Sequence, residues 1–236
     1  IDINRIPELK GIREDGGTVV IGAMTVENDL ITSPILQAKV PLLCEAAKLI
    51  ADPQVRNRGT IGGDIAHGDP GNDHPALSIV IDASFVLEGP NGRRTVAADG
   101  FFLGTYMTLL EENEVMCEIR VPAFAAGTGY AYEKLKRKTG DWATAGCAVV
   151  IRKSGDQVSH VRVALTNVAP AAVRVEAAEA ALLGKPFNPA NVQVAVEAAI
   201  AACDPAEDLR GDVEYKTAMA GEMVKRALNK AWSRSA

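Results

Sequence analysis

The sequence predicts an α+β fold in two consecutive parts, each with its own strands and helices. Strand-like and helix-like segments are mixed up to residue 124, whereas three strand patterns and then three helical patterns follow residue 129. Between them, Ala125-Ala126-Gly127-Thr128-Gly129 consists of small residues and marks a boundary. We therefore expect a first domain over residues 1–124 and a second over residues 129–236.

The first part opens in mid-pattern, which indicates that more protein precedes it. A charged turn over Lys10–Gly17 leads into a buried strand, Thr18–Gly22. Thr25 is suited to cap a short helix, and Ser33-Pro34 supplies an N-cap followed by proline at the first helical position. Leu42–Ile50 carries apolar residues at helical spacing, so a further helix is expected there.

The rest of the first part is predicted to return to sheet after a long loop. Arg56–Pro75 is rich in glycine and proline and lies between well-patterned elements. Ala76–Leu87 is expected to form a helical turn and then a strand. Asn91-Gly92 is typical of a hairpin turn, and Glu114–Val121 predicts another strand, which Pro122 ends.

The second part is predicted to be a three-stranded antiparallel sheet packed against helices. The alternating strand patterns are Tyr130–Lys136, Thr144–Arg152 and Val158–Thr166. Ser154-Gly155-Asp156 is expected to turn the last two strands. The helical patterns are Val175–Leu183, Ala190–Ala202 and Tyr215–Trp232.

Composition excludes several classes of function. A net charge of −5 disfavours nucleic-acid binding, and the short basic run Lys134–Lys138 is expected to be a solvated strand or turn. No apolar stretch approaches the roughly 20 residues of a membrane span, and the N-terminus does not resemble a signal peptide. The four cysteines and three histidines lack the spacing of an iron–sulfur or zinc site. We expect a cytoplasmic protein with no metal of its own.

The chemistry is expected to lie in the glycine-rich loop. Two adjacent glycines in Thr60-Ile61-Gly62-Gly63 have no side chains to block a ligand, and their backbone N–H groups could face a pyrophosphate. An ordinary tight turn is the alternative. Asp73 follows in a second rigid turn, where its carboxylate could accept hydrogen bonds from ribityl hydroxyls. Its alternative is an Asx-turn or helix N-cap before Pro75.

Arg56–Pro75, with TIGG and GDP inside it, resembles the second flavin-binding motif of the FAD subunits of molybdenum hydroxylases, the xanthine dehydrogenase group. Gly100–Tyr106 and Glu111–Pro122 are similar to that family's next segment, and Lys134–Ala143 to its third signature. The similarity covers essentially the whole chain. It implies a PCMH-type (vanillyl-alcohol-oxidase-like) FAD-binding domain followed by the family's C-terminal flavoprotein domain.

The resemblance also implies how these residues bind FAD. Thr60–Gly63 would hold the pyrophosphate and one edge of the flavin, and Asp73 the ribityl chain. Lys134 would approach the polar edge of the ring, with a surface strand lysine as the alternative. Asp141 and Trp142 would border the ring, although Trp142 could instead be a core residue between the domains. Val115 or Met116 would offer backbone contacts.

Two departures from the family pattern concern FAD retention. The family carries an earlier glycine-rich loop before the strand where this chain begins, so this chain alone is expected to hold FAD poorly. Trp142 stands where close relatives have a tyrosine that covers the flavin, and tryptophan can stack on the same face.

The family resemblance implies an electron-transfer subunit rather than a site of substrate oxidation. Its partners would be a large molybdopterin-binding subunit and a small [2Fe–2S] subunit, assembled as a dimer of heterotrimers. Electrons would leave through FAD to a quinone or a cytochrome, at the inner face of the cytoplasmic membrane or in the cytoplasm. The resemblance leaves the substrate of the large subunit open, and a hydroxylase of an N-heterocycle or an aldehyde is one alternative. An interaction module without flavin is another.

Overall fold

The computed structural model describes Asp2–Ala236, and its first sheet has five strands. They are β1 (Ile12–Asp15), β2 (Thr18–Gly22), β3 (Ser84–Gly89), β4 (Gly92–Ala97) and β7 (Val115–Pro122). Their order is β1-β2-β7-β3-β4, and all neighbouring strands are antiparallel. The predicted charged turn over Lys10–Gly17 is shorter than expected, because its residues 12–15 form β1 and only Gly16-Gly17 turns the chain into β2.

Six short helices connect β2 to β3. They are α1 (Glu27–Thr32), α2 (Pro34–Lys39), α3 (Pro41–Ala47), α4 (Pro53–Arg56), α5 (Ile61–His67) and α6 (His74–Val80). Ser33 caps α2 as predicted, since its side chain accepts the Leu36 N–H. The predicted cap by Thr25 is wrong, because the Thr25 hydroxyl bonds to Gly11 instead. The prediction of a loop over the whole of Arg56–Pro75 is also wrong, because the helix α5 lies within this segment.

Two hairpins complete the first part. β3 and β4 form the hairpin predicted at Asn91-Gly92, although Pro90 and Asn91 occupy the turn itself and Gly92 pairs with Gly89. Gly92 has a φ of +95°, a conformation that glycine adopts without steric cost. The second hairpin consists of β5 (Phe102–Gly104) and β6 (Met107–Thr108), and its tip lies at the surface.

The second sheet has four antiparallel strands in the order β11-β10-β9-β8, one more than the sequence predicted. The additional strand, β11, has only two residues, which is too short for a periodic pattern. The strands are β8 (Gly129–Leu135), β9 (Ala145–Ser154), β10 (Gln157–Thr166) and β11 (Val173–Arg174). Three helices follow: α7 (Glu176–Leu182), α8 (Pro189–Ala201) and α9 (Val213–Arg234). The α+β class is confirmed.

The second sheet is covered on both faces, and this joins the two parts of the chain. Along β9, Ala148 and Val150 belong to the first hydrophobic core, whereas Cys147 and Val149 belong to the second. Successive side chains on a strand point to opposite faces, so the sheet lies between α6 on one side and α7–α9 on the other. The loops that precede α6 and follow β8 are therefore held close together.

The cysteines take no part in disulfides: Cys44, Cys117 and Cys147 are buried thiols, and Cys203 is half-buried. Within residues 2–236, no group of three or more His, Cys, Asp or Glu side chains is arranged to hold a metal ion. None of the helices in this described part is long and apolar enough to cross a membrane.

Phe85 tests the packing of the first core. Its side chain is fully buried, with its ring centroid 4.7 Å from that of Phe101. Phe85→Ala is expected to lower the free energy of unfolding by about 3–5 kcal/mol, because it leaves a cavity in a packed core. Val194→Ala, on the exposed face of α8, should change it by no more than about 0.5 kcal/mol. Urea denaturation measures both, and equal effects would contradict this description of the core.

Candidate functional site

A buried ion pair connects the two parts of the chain. The Lys134 ammonium on β8 lies 2.7 Å from the Asp73 carboxylate, and the two side chains are only 2% and 4% exposed. The Tyr132 hydroxyl donates a hydrogen bond to the other oxygen of Asp73. Burial and the neighbouring Asp73 charge raise the pKa of Tyr132 well above its usual value, so it remains a donor.

This arrangement settles two alternatives. Asp73 occupies the N-cap position of α6, as the alternative interpretation predicted, but its side chain makes no capping hydrogen bond and bonds to Lys134 and Tyr132 instead. Lys134 is buried, so neither the surface-lysine alternative nor the prediction of a solvated basic run holds at that position. β8 places Lys134 and Tyr132 on the same face, because they are two residues apart on a strand.

A second buried pair involves His74, the residue that follows Asp73 in the sequence. His74 Nε2 is 2.9 Å from a Glu27 carboxylate oxygen, and both side chains are nearly inaccessible to solvent. Burial alone would lower the pKa of His74, but the charge and hydrogen bond of Glu27, helped by Asp64 and Asp73, raise it to about 9. His74 is therefore cationic and balances one of these carboxylates.

Asp64, on α5, is the remaining carboxyl of this cluster. Its Oδ2 accepts the His74 backbone N–H at 3.3 Å. Burial raises its pKa to about 7, and the charges of Glu27 and Asp73 act in the same direction against the opposing effect of His74. Asp64 thus changes protonation state close to neutral pH.

A cavity of about 280 Å³ lies beside this cluster. It has an apolar portion from the α3–α4 region and a polar portion that includes the Asp73–Lys134 pair. The lining residues are Ile50, Ala51, Val55, Asp64, Gly71, Asn72, Asp73, Lys134, Gly140, Asp141 and Trp142. We call it the inner cavity. Asp73, Lys134, Asp141 and Trp142, four of the predicted site residues, meet here.

Trp142 lines both the inner cavity and a larger open cleft. The cleft, of about 770 Å³, is lined among others by Tyr106, Pro170 and Arg210, and of the described residues Gly71 and Trp142 alone line both spaces. The indole is about half exposed (49%), and its Nε1 donates to Asn72 Oδ1 at 3.3 Å. The alternative that Trp142 is a core residue is therefore wrong.

Asp141 fixes the backbone that carries Trp142. One carboxylate oxygen accepts the Trp142 N–H at 2.9 Å and the Arg210 guanidinium at 3.1 Å, and the other accepts Arg137 Nε at 3.1 Å. Burial would raise the pKa of Asp141, but the hydrogen bonds and charges of the two arginines outweigh it and lower the pKa. Asp141 therefore carries a negative charge at neutral pH.

Thr60–Gly63 forms the first turn of α5. The sequence predicted that the backbone N–H groups of this turn are free to bind a pyrophosphate, but they are already hydrogen-bonded within the chain. The Ile61 and Gly62 N–H groups donate to the carbonyls of Thr25 and Ala23, and the Gly63 N–H donates to Thr60 Oγ1 at 3.2 Å. Gly62 is glycine because a Cβ there would collide with Ala23. Of the two glycines, Gly63 is exposed and presents bare backbone to solvent.

The predicted residues therefore fall into three groups. Asp73, Lys134, Asp141 and Trp142 converge, and Thr60–Gly63 lies on the helix whose Asp64 lines the same cavity. Met116 is on β7 with its side chain in the first core, 5% exposed, and lines neither space. The adjacent Val115 is exposed.

Sequence reasoning missed several residues of the site. They are Glu27, Asp64, Asn72, His74, Tyr132 and Arg210. Tyr132 could have been found, since strand alternation puts it beside Lys134. Asp64, Asn72 and His74 lie within the Arg56–Pro75 segment, which was the local signal that could have found them. Glu27 and Arg210 carry no local signal, because their partners are 47 and 69 residues away in the sequence.

Known proteins resemble this chain over its whole length. The family model described as "FAD binding domain in molybdopterin dehydrogenase" matches residues 1–124, and "CO dehydrogenase flavoprotein C-terminal domain" matches residues 130–231. The carbon monoxide dehydrogenase medium chain of Hydrogenophaga pseudoflava is 80% identical over 236 residues, which cover 100% of this chain and 82% of the relative. Its counterpart in Afipia carboxidovorans is 48% identical, with coverages of 100% and 82%.

A solved structure has the same fold. It is that of carbon monoxide dehydrogenase from Hydrogenophaga pseudoflava lacking the Mo-pyranopterin moiety of its cofactor. The match has a TM-score of 0.99 at 83% identity, and covers 100% of this chain and 82% of the other.

The protonation of Asp64 gives a pH prediction. Between about 4, the usual pKa of an aspartate, and its folded value of about 7, the folded chain binds a proton that the unfolded chain releases. The free energy of unfolding should therefore fall as pH rises through this window. Asp64→Asn should reduce that fall, measured by urea denaturation at about pH 5 and about pH 7.

Asp156→Asn, an exposed aspartate in the β9–β10 turn, serves as the control and should behave like the parent. If Asp64→Asn retained the full pH dependence of the parent, the assignment to Asp64 would be wrong.

Proposed function

Since the chain belongs to the family of FAD-binding subunits of molybdopterin dehydrogenases, we propose that it is the flavoprotein (medium) subunit of a carbon monoxide dehydrogenase. It is an oxidoreductase subunit that binds FAD, while carbon monoxide is oxidised on another subunit of the complex. The observation that carries the proposal is the convergence of Asp73, Lys134, Asp141 and Trp142 around one cavity in a chain of this family.

The inner cavity fits the isoalloxazine ring in its chemistry. A flavin ring is planar, with an apolar edge and a polar edge of carbonyl and ring-nitrogen groups. The cavity offers apolar Ile50, Ala51 and Val55, together with the Asp73–Lys134 pair, and Trp142 supplies an aromatic face. This combination of surfaces suits a flat ligand that is polar at one edge.

Each predicted residue has a proposed role toward FAD. Lys134 would place a cation near the polar edge of the ring, and Asp73, which holds Lys134, would accept from the ribityl hydroxyls. Trp142 would cover the ring, and Asp141 would keep the Trp142 backbone in place. When bound, FAD supplies one- and two-electron transfer, accepting electrons from iron–sulfur clusters and passing them to an external acceptor.

Thr60–Gly63 retains a modified role in the proposal. Because the amides of Ile61 and Gly62 are already used within the chain, phosphates would be accommodated along the exposed, side-chain-free surface of Gly63 and beside Thr60. Ile61 would support this turn from the core, in which it is buried. Met116 would contribute through its backbone. It lies near the start of β7, outside the part of that strand that pairs with β2.

The chain is one subunit of a multi-subunit molybdenum hydroxylase complex. We propose that its partners are a large molybdopterin-binding subunit and a small [2Fe–2S] subunit in a dimer of heterotrimers. A quinone or cytochrome would take the electrons, in the cytoplasm or at the inner face of its membrane. Residues 1–124 would form the FAD-binding domain and residues 129–236 the C-terminal domain, a division supported by the small-residue connection between them.

The proposal is tested on the intact complex. Purified complex should contain one FAD for each copy of this chain, and addition of carbon monoxide should bleach the flavin absorbance. Full-rate electron transfer from carbon monoxide to a quinone in a complex that lacks flavin on this chain would contradict the proposal. Failure to oxidise carbon monoxide, with flavin bound and reducible by another substrate, would instead show that the substrate class is wrong.

Gly63→Asp tests the phosphate position. A carboxylate on this exposed turn would repel a pyrophosphate, so we expect FAD affinity to fall at least about tenfold, or about 1.4 kcal/mol. Gly63→Asn has nearly the same size without the charge and is the matched control. Titration of flavin-depleted complex with FAD measures both variants. Equal affinities for Gly63→Asp and Gly63→Asn would place the phosphates elsewhere.

A further inference from the structure

The α8–α9 connection, residues 203–212, reaches across the open cleft to Trp142. At its tip, the Arg210 guanidinium lies over the indole ring of Trp142, with its central carbon 5.5 Å from the ring centroid. This is within the range in which a cation is attracted to an aromatic face. No part of the FAD-binding role proposed above accounts for this contact.

The connection is anchored at both ends. The Asp204 N–H donates to the Val168 carbonyl at 2.8 Å. Lys216, at the start of α9 and 2% exposed, lies 3.0 Å from Asp208 and donates to the Ala206 carbonyl at 2.8 Å. Because a buried lysine needs a fixed anionic partner, Asp208 has a defined position.

Two contacts then fix Arg210 itself. Its guanidinium bonds to Asp208 at 3.2 Å and to Asp141 at 3.1 Å, so it bridges the α8–α9 connection and the loop that carries Trp142. Arg137 reinforces this bridge, since it bonds to Asp141 and also donates to the Leu209 carbonyl at 2.9 Å. A planar guanidinium can make these bonds at its edge while its face stacks on an aromatic ring.

Two further groups lie close to the indole. Asn72 accepts the ring N–H, and a side chain at Gly71 would approach the indole at 3.1 Å, tighter than a normal contact. The indole is therefore held at its N–H by Asn72, approached closely at Gly71 and covered by Arg210, although about half of its surface remains exposed. Among these groups, only Arg210 comes from the second part's helical region.

We propose that Arg210 is a positioning residue: it holds the Trp142 indole in place as the wall between the inner cavity and the open cleft. The function of that wall rests on the FAD site proposed above, because the inner cavity is where the flavin ring would lie. With Arg210 in place, Trp142 covers the ring on the cleft side and excludes water there. Without it, the indole is free to turn into the cleft.

The first test measures tryptophan fluorescence and needs no flavin. The chain has only two tryptophans, Trp142 and Trp232. Trp232 is stacked on Phe187 in the second core, so Trp232→Phe leaves Trp142 as the single reporter. In that background, Arg210→Lys keeps a positive charge but cannot stack as a planar group. We expect a red-shifted emission and an acrylamide quenching constant raised by up to about twofold, because about half of the indole surface is already exposed while Arg210 covers it.

Arg226→Lys is the matched control, since Arg226 pairs with Glu222 on the exposed surface of α9. It should leave emission and quenching unchanged, and all variants should share the parent's urea midpoint within error. Unchanged Trp142 quenching in Arg210→Lys would overturn the proposal. A large loss of stability in Arg210→Lys with unchanged emission of the folded fraction would overturn it equally, because the role would then be structural.

The second test uses FAD-loaded complex. Indole stacked on a flavin quenches flavin emission, so Arg210→Lys and Trp142→Phe should each raise the flavin fluorescence severalfold when it is expressed per bound flavin. An increase in Trp142→Phe alone would mean that Trp142 covers the ring without help from Arg210, and would overturn the proposal. If the parent complex held no FAD, the proposed function would fail, while the tryptophan measurements would still decide the role of Arg210.

Discussion

The buried ion pair between Asp73 and Lys134 is the constraint on which the rest of the site depends. One partner comes from the loop before α6 and the other from β8, and both side chains are almost completely removed from water. Removing either partner would leave an uncompensated buried charge, at a cost of about 3–5 kcal/mol. The two parts of the chain must therefore dock so that these groups meet, and Tyr132 restricts the carboxylate further.

The site can be followed outward from this pair as a series of paired charges. His74 and Glu27 neutralise each other behind Asp73, and Asp64 is the group left with a pKa near neutrality. Toward the surface, Asp141 carries the arginine contacts that set the loop of Trp142. The charges of the Asp73–Lys134 and Glu27–His74 pairs are tolerated out of water because each lies within hydrogen-bond distance of an oppositely charged partner.

Sequence reasoning succeeded where the signal is local. Strands such as Thr18–Gly22 and the helices of the second part follow from periodicity, and Ser33 as an N-cap follows from side-chain chemistry. It failed where contacts between residues distant in sequence determine the local structure. α5 forms within a glycine-rich segment because Gly62 packs against Ala23 and donates to its carbonyl. The sequence predicted a ligand contact for Asp73 and another for Lys134, but not their contact with each other. The two residues are 61 positions apart, and their pairing has no local signature.

A crystal structure of the protein with FAD bound tests the central claim most directly, because Trp142 lines both the inner cavity and the open cleft and the flavin ring could lie in either. The account predicts density for the flavin ring in the inner cavity, with its polar edge toward Lys134 and Asp73 and its face covered by the indole. Ring density in the open cleft beside Tyr106 and Pro170, with the inner cavity filled only by water, would contradict it.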